Sequence, residues 1–156
     1  MTQASIITDE MRAAIGRESE PVAYEVDRTG CRQFARAVGY SDPVYFDPEV
    51  ARNRGYRDIP APAGFLGHPV IVPGRPASAV GPDLRAGFTR ILNGGTDVEY
   101  LDTVCAGDVL TAVTRLVDIK ERQGNIGPML ITTRETTFRN AGGSVVAVLR
   151  GTGIAY

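Results

Sequence analysis

Proline and glycine divide this chain into two unlike parts, and that division is the strongest constraint on its fold. Nine of the ten prolines lie within residues 1–87. Because proline fixes φ and has no backbone N–H, this part predicts short helices joined by irregular loops. Residues 88–156 instead hold β-rich runs separated by glycine-containing turns, a pattern typical of antiparallel hairpins.

The first part contains one strand pattern and one clear helix pattern. Residues 21–26 alternate in polarity and predict an opening strand. A helix is predicted next, because Cys31 and the apolar residues that follow it recur at helical spacing. Its N-cap is Asp27 or Thr29, and Gly39 ends it.

A second, shorter helix is predicted to begin after Asp47. Aspartate is a good N-cap, Pro48 suits the first helical position, and Gly55 ends the helix. Six further prolines within residues 56–87 predict mainly loop, with one short helix near 63–68.

The runs of the second part have the composition of β-strands. In the third run one face is expected to carry five residues and to be interrupted by Arg115: Val109, Thr111, Val113, Val117 and Ile119. The last three runs are about 11–14 residues long, so the sheet should be strongly twisted and wrapped around a helix from the first part. We therefore expect one α+β domain, 1–156, with residues 1–20 as an N-terminal lead-in. The runs are 88–93, 96–101, 108–121, 129–139 and 144–156.

Charge and composition exclude several classes of protein. Lys plus Arg is 17 and Asp plus Glu is 18, which leaves a formal charge of −1. A protein that coats nucleic acid or an anionic membrane needs an excess of positive charge to replace counterions. No apolar run approaches the roughly 20 residues of a membrane span, and the N-terminus lacks the basic and apolar regions of a signal peptide. We expect a cytoplasmic protein that binds neither nucleic acid nor membranes.

Common catalytic and metal-binding motifs are missing from the sequence. It has no glycine-rich phosphate loop and no serine nucleophile elbow. His68 is the only histidine and has no cysteine or histidine cluster around it, so no metal site is expected. Its more ordinary role is that of a loop residue whose side chain is hydrogen-bonded to the backbone. Cys31 and Cys105 are expected to be structural.

The most informative segment covers residues 34–51 and is followed by Ile59-Pro60-Ala61-Pro62. It resembles the hydratase signature of the MaoC-like family, and more closely the single-domain, FAS1-like dehydratase members of that family, which have the hot-dog fold. The resemblance extends over roughly residues 20–156. In the second part it rests on Ile91-Leu92-Asn93-Gly94-Gly95, Val98-Glu99-Tyr100-Leu101, Ala106-Gly107-Asp108-Val109-Leu110 and Arg122-Gln123-Gly124.

The resemblance implies a reaction. Members of the family add water to enoyl thioesters, or remove it from 3-hydroxyacyl thioesters, of coenzyme A or acyl carrier protein, without a further cofactor. Their signature is Gly-Asp-x-Asn-Pro-x-His, in which the aspartate and the histidine transfer the protons. Aligned on Pro43, the aspartate position is Tyr40, the asparagine position is Asp42 and the histidine position is Tyr45. Both proton-transfer residues are therefore replaced.

The same alignment implies the remaining site residues. Ala63 and Gly64 fall in the segment whose backbone N–H groups polarise the thioester carbonyl in active members. Each residue also has an ordinary structural role: the tyrosines pack, Asp42 forms a turn, and the Gly-Gly pair forms a bulge. The expected substrate-binding residues are Tyr40, Asp42, Tyr45, Ala63, Gly64, Asn93, Gly94 and Gly95, and Asp42 is the candidate catalyst.

Three functions remain open from the sequence. The first is a non-catalytic subunit that works with a catalytic hot-dog partner. The second is an enzyme that acts alone, with Asp42 as base and Tyr40 or Tyr45 as proton donor, although the ordinary tyrosine pKa near 10 is poorly matched to neutral pH. The third is a module that binds an acyl thioester without chemistry. In each case we expect a homodimer or a heterodimer, because a lone hot-dog sheet leaves one strand edge unpaired.

Overall fold

The computed structural model describes residues 5–74 and 84–156. Three α-helices and a 3₁₀ helix lie mainly in the first part, and four of the six strands lie in the second. The elements are α1 (Asp9–Ala13), β1 (Val22–Glu25), α2 (Arg28–Ala37), the 3₁₀ helix (Pro43–Tyr45), α3 (Pro48–Asn53), β2 (His68–Pro69), β3 (Ile91–Tyr100), β4 (Val109–Gly124), β5 (Gly127–Arg139) and β6 (Val145–Ala155).

The six strands form one antiparallel sheet in the order β2-β1-β4-β5-β6-β3. Two hairpins make its centre: β4 and β5 join through a two-residue turn between Gly124 and Gly127, and β5 and β6 join through residues 140–144. The three long strands expected at the end of the chain, and the two turns between them, are therefore confirmed. The strand β3 pairs only with β6 among the described strands, so its other side is an edge of the sheet.

The boundaries of α2 and α3 also agree with the sequence prediction, whereas α1 and the 3₁₀ helix were not predicted. The carboxylate of Asp27 accepts a hydrogen bond from Gly30 N at 2.8 Å and caps α2, and Gly39 follows that helix with φ 81°. The carboxylate of Asp47 accepts from Glu49 N at 2.8 Å and caps α3. These caps satisfy backbone donors that have no partner within the helix.

The prediction of a short helix near 63–68 is wrong. Ala63 and Gly64 form a turn, and His68–Pro69 is the strand β2, which pairs with β1. Gly64 and Gly67 have φ of 96° and 89°, which right-handed helices do not contain. A Cβ on Gly67 would lie 2.6 Å from the Glu25 carbonyl oxygen, so the close approach of the two backbones also requires glycine there.

The two runs expected at 88–93 and 96–101 are one strand, β3, and Gly94-Gly95 does not make a hairpin between them. The register of β3 against β6 shifts between Asn93 and Gly95, so Gly94 is the extra residue of a β-bulge. The structural role suggested for the glycine pair is thereby confirmed.

A second bulge corrects the prediction for β4. The register against β5 shifts between Leu116 and Asp118, which leaves Val117 unpaired. An extra residue reverses the alternation that follows it. Ile119 therefore joins Leu116 in the core, whereas Val109 is half exposed on the other side of the strand.

Two hydrophobic clusters lie on the same face of the sheet, which we call the inner face. The first cluster joins Cys31 of α2 to residues such as Leu110 and Phe138 of the sheet. The second joins Met11 and Ala14 of α1 to Leu116, Ile119, Leu130 and Ala155. Helices packed on one face of an antiparallel sheet make the expected α+β architecture. None of the helices within the described residues is long and apolar enough to cross a membrane.

Candidate functional site

The segment that carries the degenerate signature is a tight turn between α2 and α3. Tyr40 N donates to the Ala35 carbonyl at 2.8 Å, which closes the end of α2. Asp42 then caps the 3₁₀ helix by accepting from Val44 N at 3.0 Å, with Pro43 in the first position. Val44 is buried and anchors the turn in the protein. The turn role proposed for Asp42 is therefore confirmed.

The turn brings Tyr40 and Tyr45 together. Their ring centroids are 5.0 Å apart and their planes are inclined by 39°. Burial, with the charges of Tyr40, Tyr56 and Asp42 in addition, raises the pKa of the Tyr45 phenol above its ordinary value. The phenol thus holds its proton more firmly than a free tyrosine does, and it is further from acting as a base at neutral pH.

The carboxylate of Asp42 already has hydrogen-bond partners within the chain. Nη1 of Arg54 lies 2.8 Å from each of its two oxygens, and Val44 N donates to the same group. These hydrogen bonds, first that from Arg54, hold the pKa of Asp42 below its ordinary range. A carboxylate with a lowered pKa and occupied oxygens is a weak proton acceptor.

The segment expected to polarise a carbonyl lies against the end of β3. Gly64 N donates to the Tyr100 hydroxyl at 2.5 Å. On its other side, a Cβ on Gly64 would lie 3.1 Å from the Phe34 ring. This backbone N–H therefore has a partner within the chain, and a thioester carbonyl would have to displace the Tyr100 hydroxyl to reach it.

The glycine pair lies elsewhere on the same strand. Asn93 Oδ1 accepts from Gly95 N at 3.0 Å and holds the bulge, and Gly94 faces Ile154 and Thr152 of β6. Tyr100 lies seven positions after Asn93, and because the bulge takes up one of them, the two are roughly 20 Å apart along the strand. A ligand that contacts both Gly64 and Asn93 must therefore be long and extended. The substrate contacts expected from these residues stay predictions.

The single histidine and the two cysteines lie in surroundings that favour structural roles. His68 lies in β2, mostly exposed, with its ring edge-on to Phe65 at 5.2 Å and its Nε2 3.9 Å from an Asp27 oxygen. Burial raises the pKa of the Cys31 thiol to about 12, which makes it a poor nucleophile, and Cys105 is buried too. The described part of the chain contains no cluster of side chains suited to a metal ion.

Sequence reasoning missed the ion pairs that fix the sheet and its neighbouring turns. On the outer face, Glu135 of β5 is 8% exposed and accepts from Arg115 of β4 at 2.6 Å and from Arg150 of β6 at 2.7 Å. Arg57 holds both oxygens of Asp108, at 2.6 and 2.9 Å. Alternating charges on neighbouring runs are the available sequence signal, but they become meaningful only once the strand register is known.

Comparison with known proteins gives the same fold and a family. Residues 13–149 match the family model described as the FAS1-like dehydratase domain region. A UPF0336 protein of Thermobifida fusca is 36% identical over 138 residues, which cover 86% of this chain and 87% of that protein. A UPF0336 protein of Streptomyces avermitilis is 35% identical over 138 residues, covering 86% and 88%.

Solved structures resemble this chain at lower identity. A chain of the ChsH1-ChsH2 complex from Mycobacterium tuberculosis is 19% identical, covers 92% of this chain and 90% of its own length, and has a TM-score of 0.72. A chain of the HadBC (3R-hydroxyacyl-ACP dehydratase) complex from the same organism is 22% identical, covers 90% and 96%, and has a TM-score of 0.66. An (R)-hydratase from A. caviae has a TM-score of 0.60 at 16% identity, covering 89% and 94%. These structures show that the chain has the hot-dog fold of the MaoC-like dehydratases. The match to residues 13–149 and the two curated relatives show that the chain belongs to the family of the FAS1-like dehydratase domain region, together with the UPF0336 proteins.

Proposed function

We propose that this chain is the non-catalytic, acyl-binding subunit of an enoyl-thioester hydratase or 3-hydroxyacyl-thioester dehydratase. Its partner is a second hot-dog subunit that supplies the catalytic aspartate and histidine. The acyl group is carried as a thioester of coenzyme A or acyl carrier protein, and no further cofactor is required. A cytoplasmic location stays a prediction from the sequence.

The main support for this proposal is the structure of the signature turn, the tight turn between α2 and α3. Tyr40 and Tyr45 pack on each other at the positions where the family has its proton-transfer residues, and Arg54 donates hydrogen bonds to both carboxylate oxygens of Asp42. General acid–base groups contribute roughly 10²–10⁴ each to the rate of such reactions. A chain without them needs another source of proton transfer.

The free edge of the sheet supports a paired assembly. The strand β3 is ten residues long, and its outer edge has no strand partner among the described residues. Its apolar side chains stay in contact with solvent: Ile91 is 61% exposed and Leu92 is 51% exposed. Long apolar edge strands favour pairing with a strand of another chain. The similar chains of the ChsH1-ChsH2 and HadBC complexes come from assemblies of two different subunits, which favours a heterodimer.

The alternative in which Asp42 acts alone as the catalyst is not favoured by the geometry. Its carboxylate is bound by Arg54 and its pKa is lowered, whereas a base for water activation should have a pKa closer to neutral. The binding module without chemistry differs from our proposal only in lacking a catalytic partner. One experiment therefore separates the three functions.

The test begins with co-purification of the chain at its natural expression level, and mass spectrometry identifies any bound hot-dog protein. Hydration of crotonyl-CoA and octenoyl-CoA is then measured for the chain alone, for the partner alone and for the pair. We expect activity from the pair and little or none from this chain. Turnover by the pure chain that is abolished in Asp42→Ala would establish the stand-alone enzyme instead. Binding of acyl thioesters without a partner and without turnover would establish the binding module.

A matched pair of variants tests whether the chain pairs with its partner through the exposed edge of β3. Leu92→Glu places a charge on β3 and should weaken the assembly by about tenfold in light-scattering titrations. Ile126→Glu is the control, since Ile126 is 72% exposed at the far hairpin. Equal effects of the two changes, or a wild-type chain that stays a particle of 16.7 kDa with and without its candidate partner, would contradict pairing through β3.

A further inference from the structure

The inner face of the sheet carries a polar gap between its two hydrophobic clusters. Along β5 the inward side chains pass from Phe138, in the first cluster, to Leu130, in the second. Between them on the same face stand Thr136, Arg134 and Thr132, since alternate residues of a strand share a face. We call this region the polar gap; it consists of Thr96 of β3, Thr114 of β4, Thr132, Arg134 and Thr136 of β5, and Gly151 and Gly153 of β6.

Arg134 is the only charged residue of the polar gap, and it has no partner among the residues that the structure describes. It is half-buried, and it makes no hydrogen bond or ion pair with any residue that the structure describes. Burial lowers the pKa of its guanidinium, with no opposing effect from a nearby carboxylate. The adjacent residue differs: Glu135 points to the outer face, where two arginines satisfy it. A guanidinium removed from water without a partner is unfavourable, whereas a carboxylate or phosphate would bind it through two parallel hydrogen bonds.

Space for such a ligand is available beside Arg134. Gly151 is its direct neighbour on β6, and a Cβ placed there would have no atom nearer than 4.0 Å. Gly153 has no side chain either, and the hydroxyl of Thr132 lies beside it. Next in the same row, Thr96 of β3 is exposed. The polar gap is therefore open, on the described residues, from Arg134 to the edge of the sheet at β3.

The geometry favours a small molecule over a side chain of a partner as the occupant. Neighbouring strands lie about 4.8 Å apart, so a strand added beyond β3 would lie roughly 14 Å from β5. Side chains stand roughly perpendicular to the sheet, so those of the added strand would project beside the polar gap rather than over Arg134. A molecule that enters across Thr96 and Gly151 follows the row of residues that leads to Arg134.

We propose that the polar gap is a binding site for the oxyanion group of a small molecule, with Arg134 as its principal ligand and threonine hydroxyls beside it. The shared chemistry is a carboxylate or a phosphate. Its source is either an acid carried on an acyl chain or a phosphate carried by a thioester carrier. These two sources rest on the proposed function, whereas the binding of an anion to this chain is measured without a partner and without turnover, so the two can fail separately.

The test is calorimetric titration of the full chain, at low ionic strength, with octanoate, octanamide and inorganic phosphate. We expect binding of octanoate or phosphate and none of octanamide, which has nearly the shape of octanoate but no charge. Preference for octanoate would identify the acyl chain as the source, and preference for phosphate the carrier. Arg134→Met should weaken the binding of the anion by at least about tenfold. Arg122→Gln, which removes an exposed arginine from the β4–β5 hairpin, should leave it unchanged.

Several results would overturn the proposal. These are equal binding of octanoate and octanamide, equal losses in Arg134→Met and Arg122→Gln, or no binding of either anion. If Arg134→Met does not fold, the Arg134 Nε–H resonance of the wild-type chain replaces it as the reporter. A shift of that resonance on addition of the anion supports the site, and an unchanged resonance at saturating anion contradicts it.

Discussion

The signature turn and the polar gap both carry a charged side chain beside buried residues, but only the turn provides that side chain with partners. In the turn, Asp42 has Arg54 and Val44 N as partners, and the two tyrosines pack on each other. In the polar gap, Arg134 lies among threonines and glycines without a partner among the described residues. The family motif therefore lies on a segment whose polar groups already have partners within the chain. The charged group without a partner among the described residues, Arg134, lies outside any motif.

The largest expected effect tests how the two regions are anchored. Leu130 is completely buried beside the polar gap, and Val44 is the buried anchor of the turn. Leu130→Ala should lower the free energy of unfolding by about 2–5 kcal/mol, because a cavity adds to the lost burial. Val44→Ala removes two methyl groups and should cost about 2 kcal/mol. Urea denaturation measures both. A greater loss at Val44 would mean that the turn, not the sheet, holds more of the stability.

Glu135 gives the next largest effect, and it contrasts directly with Arg134 beside it. The hydrogen bonds from Arg115 and then Arg150 lower the pKa of this carboxyl in the folded state. Glu135→Gln should lower the free energy of unfolding by roughly 1–3 kcal/mol at pH 7, since the variant leaves the two arginines with a weaker partner.

The same pKa predicts how stability depends on pH. Because the folded pKa lies below the unfolded value, the contribution of Glu135 is fully present above the unfolded pKa, about 4.3. It is lost as the pH falls through the folded pKa. Between pH 7 and pH 3 the wild-type chain should therefore lose more stability than Glu135→Gln does. Parallel stability curves for the two proteins over this range would contradict the assignment.

Most of the fold could be predicted from the sequence because its signals are local. The caps Asp27 and Asp47, the glycines that follow the helices, and the glycine-containing hairpins each act within a few residues. The errors arose where tertiary pairing decided the outcome. The bulge at Val117 moved Ile119 into the core, and pairing with β1 made His68–Pro69 a strand.

The candidate site was less predictable for the same reason. The resemblance singled out Tyr40 and Tyr45, and the structure places their rings together because the turn that joins them is local. The partners of Asp42 and Gly64 are Arg54 and Tyr100, which no spacing rule connects to them. Arg134 looked like one polar residue in an alternating run. That it lies between the two hydrophobic clusters, without a partner in the described part of the chain, became apparent only from the strand register.

Arg134→Met should have a smaller effect, and one of opposite sign. Replacing an unpartnered, half-buried charge by an apolar side chain of similar length should raise the free energy of unfolding by about 1 kcal/mol. Urea denaturation without added anions measures it, and Arg122→Gln serves again as the control. A loss of stability in Arg134→Met greater than that of the control would show that the guanidinium already has a stabilising contact, and would weaken the contrast with the turn.

The smallest effect concerns the turn itself. Both Arg54 and Asp42 are about half exposed, and exposed ion pairs contribute little to stability, so Arg54→Gln should leave the unfolding curve nearly unchanged. Its consequence is electrostatic. Because the hydrogen bond from Arg54 is the main cause of the lowered pKa of Asp42, that pKa should rise towards its ordinary value in the variant, while the bond from Val44 N still holds it slightly below. Titration of the Asp42 carboxyl carbon by NMR measures this rise directly, and Arg36→Gln, on the exposed end of α2, is the control. If Arg54→Gln also gave the isolated chain hydratase activity that Asp42→Ala removed, the turn would be a masked active site rather than a structural one, and the contrast with the polar gap would fail.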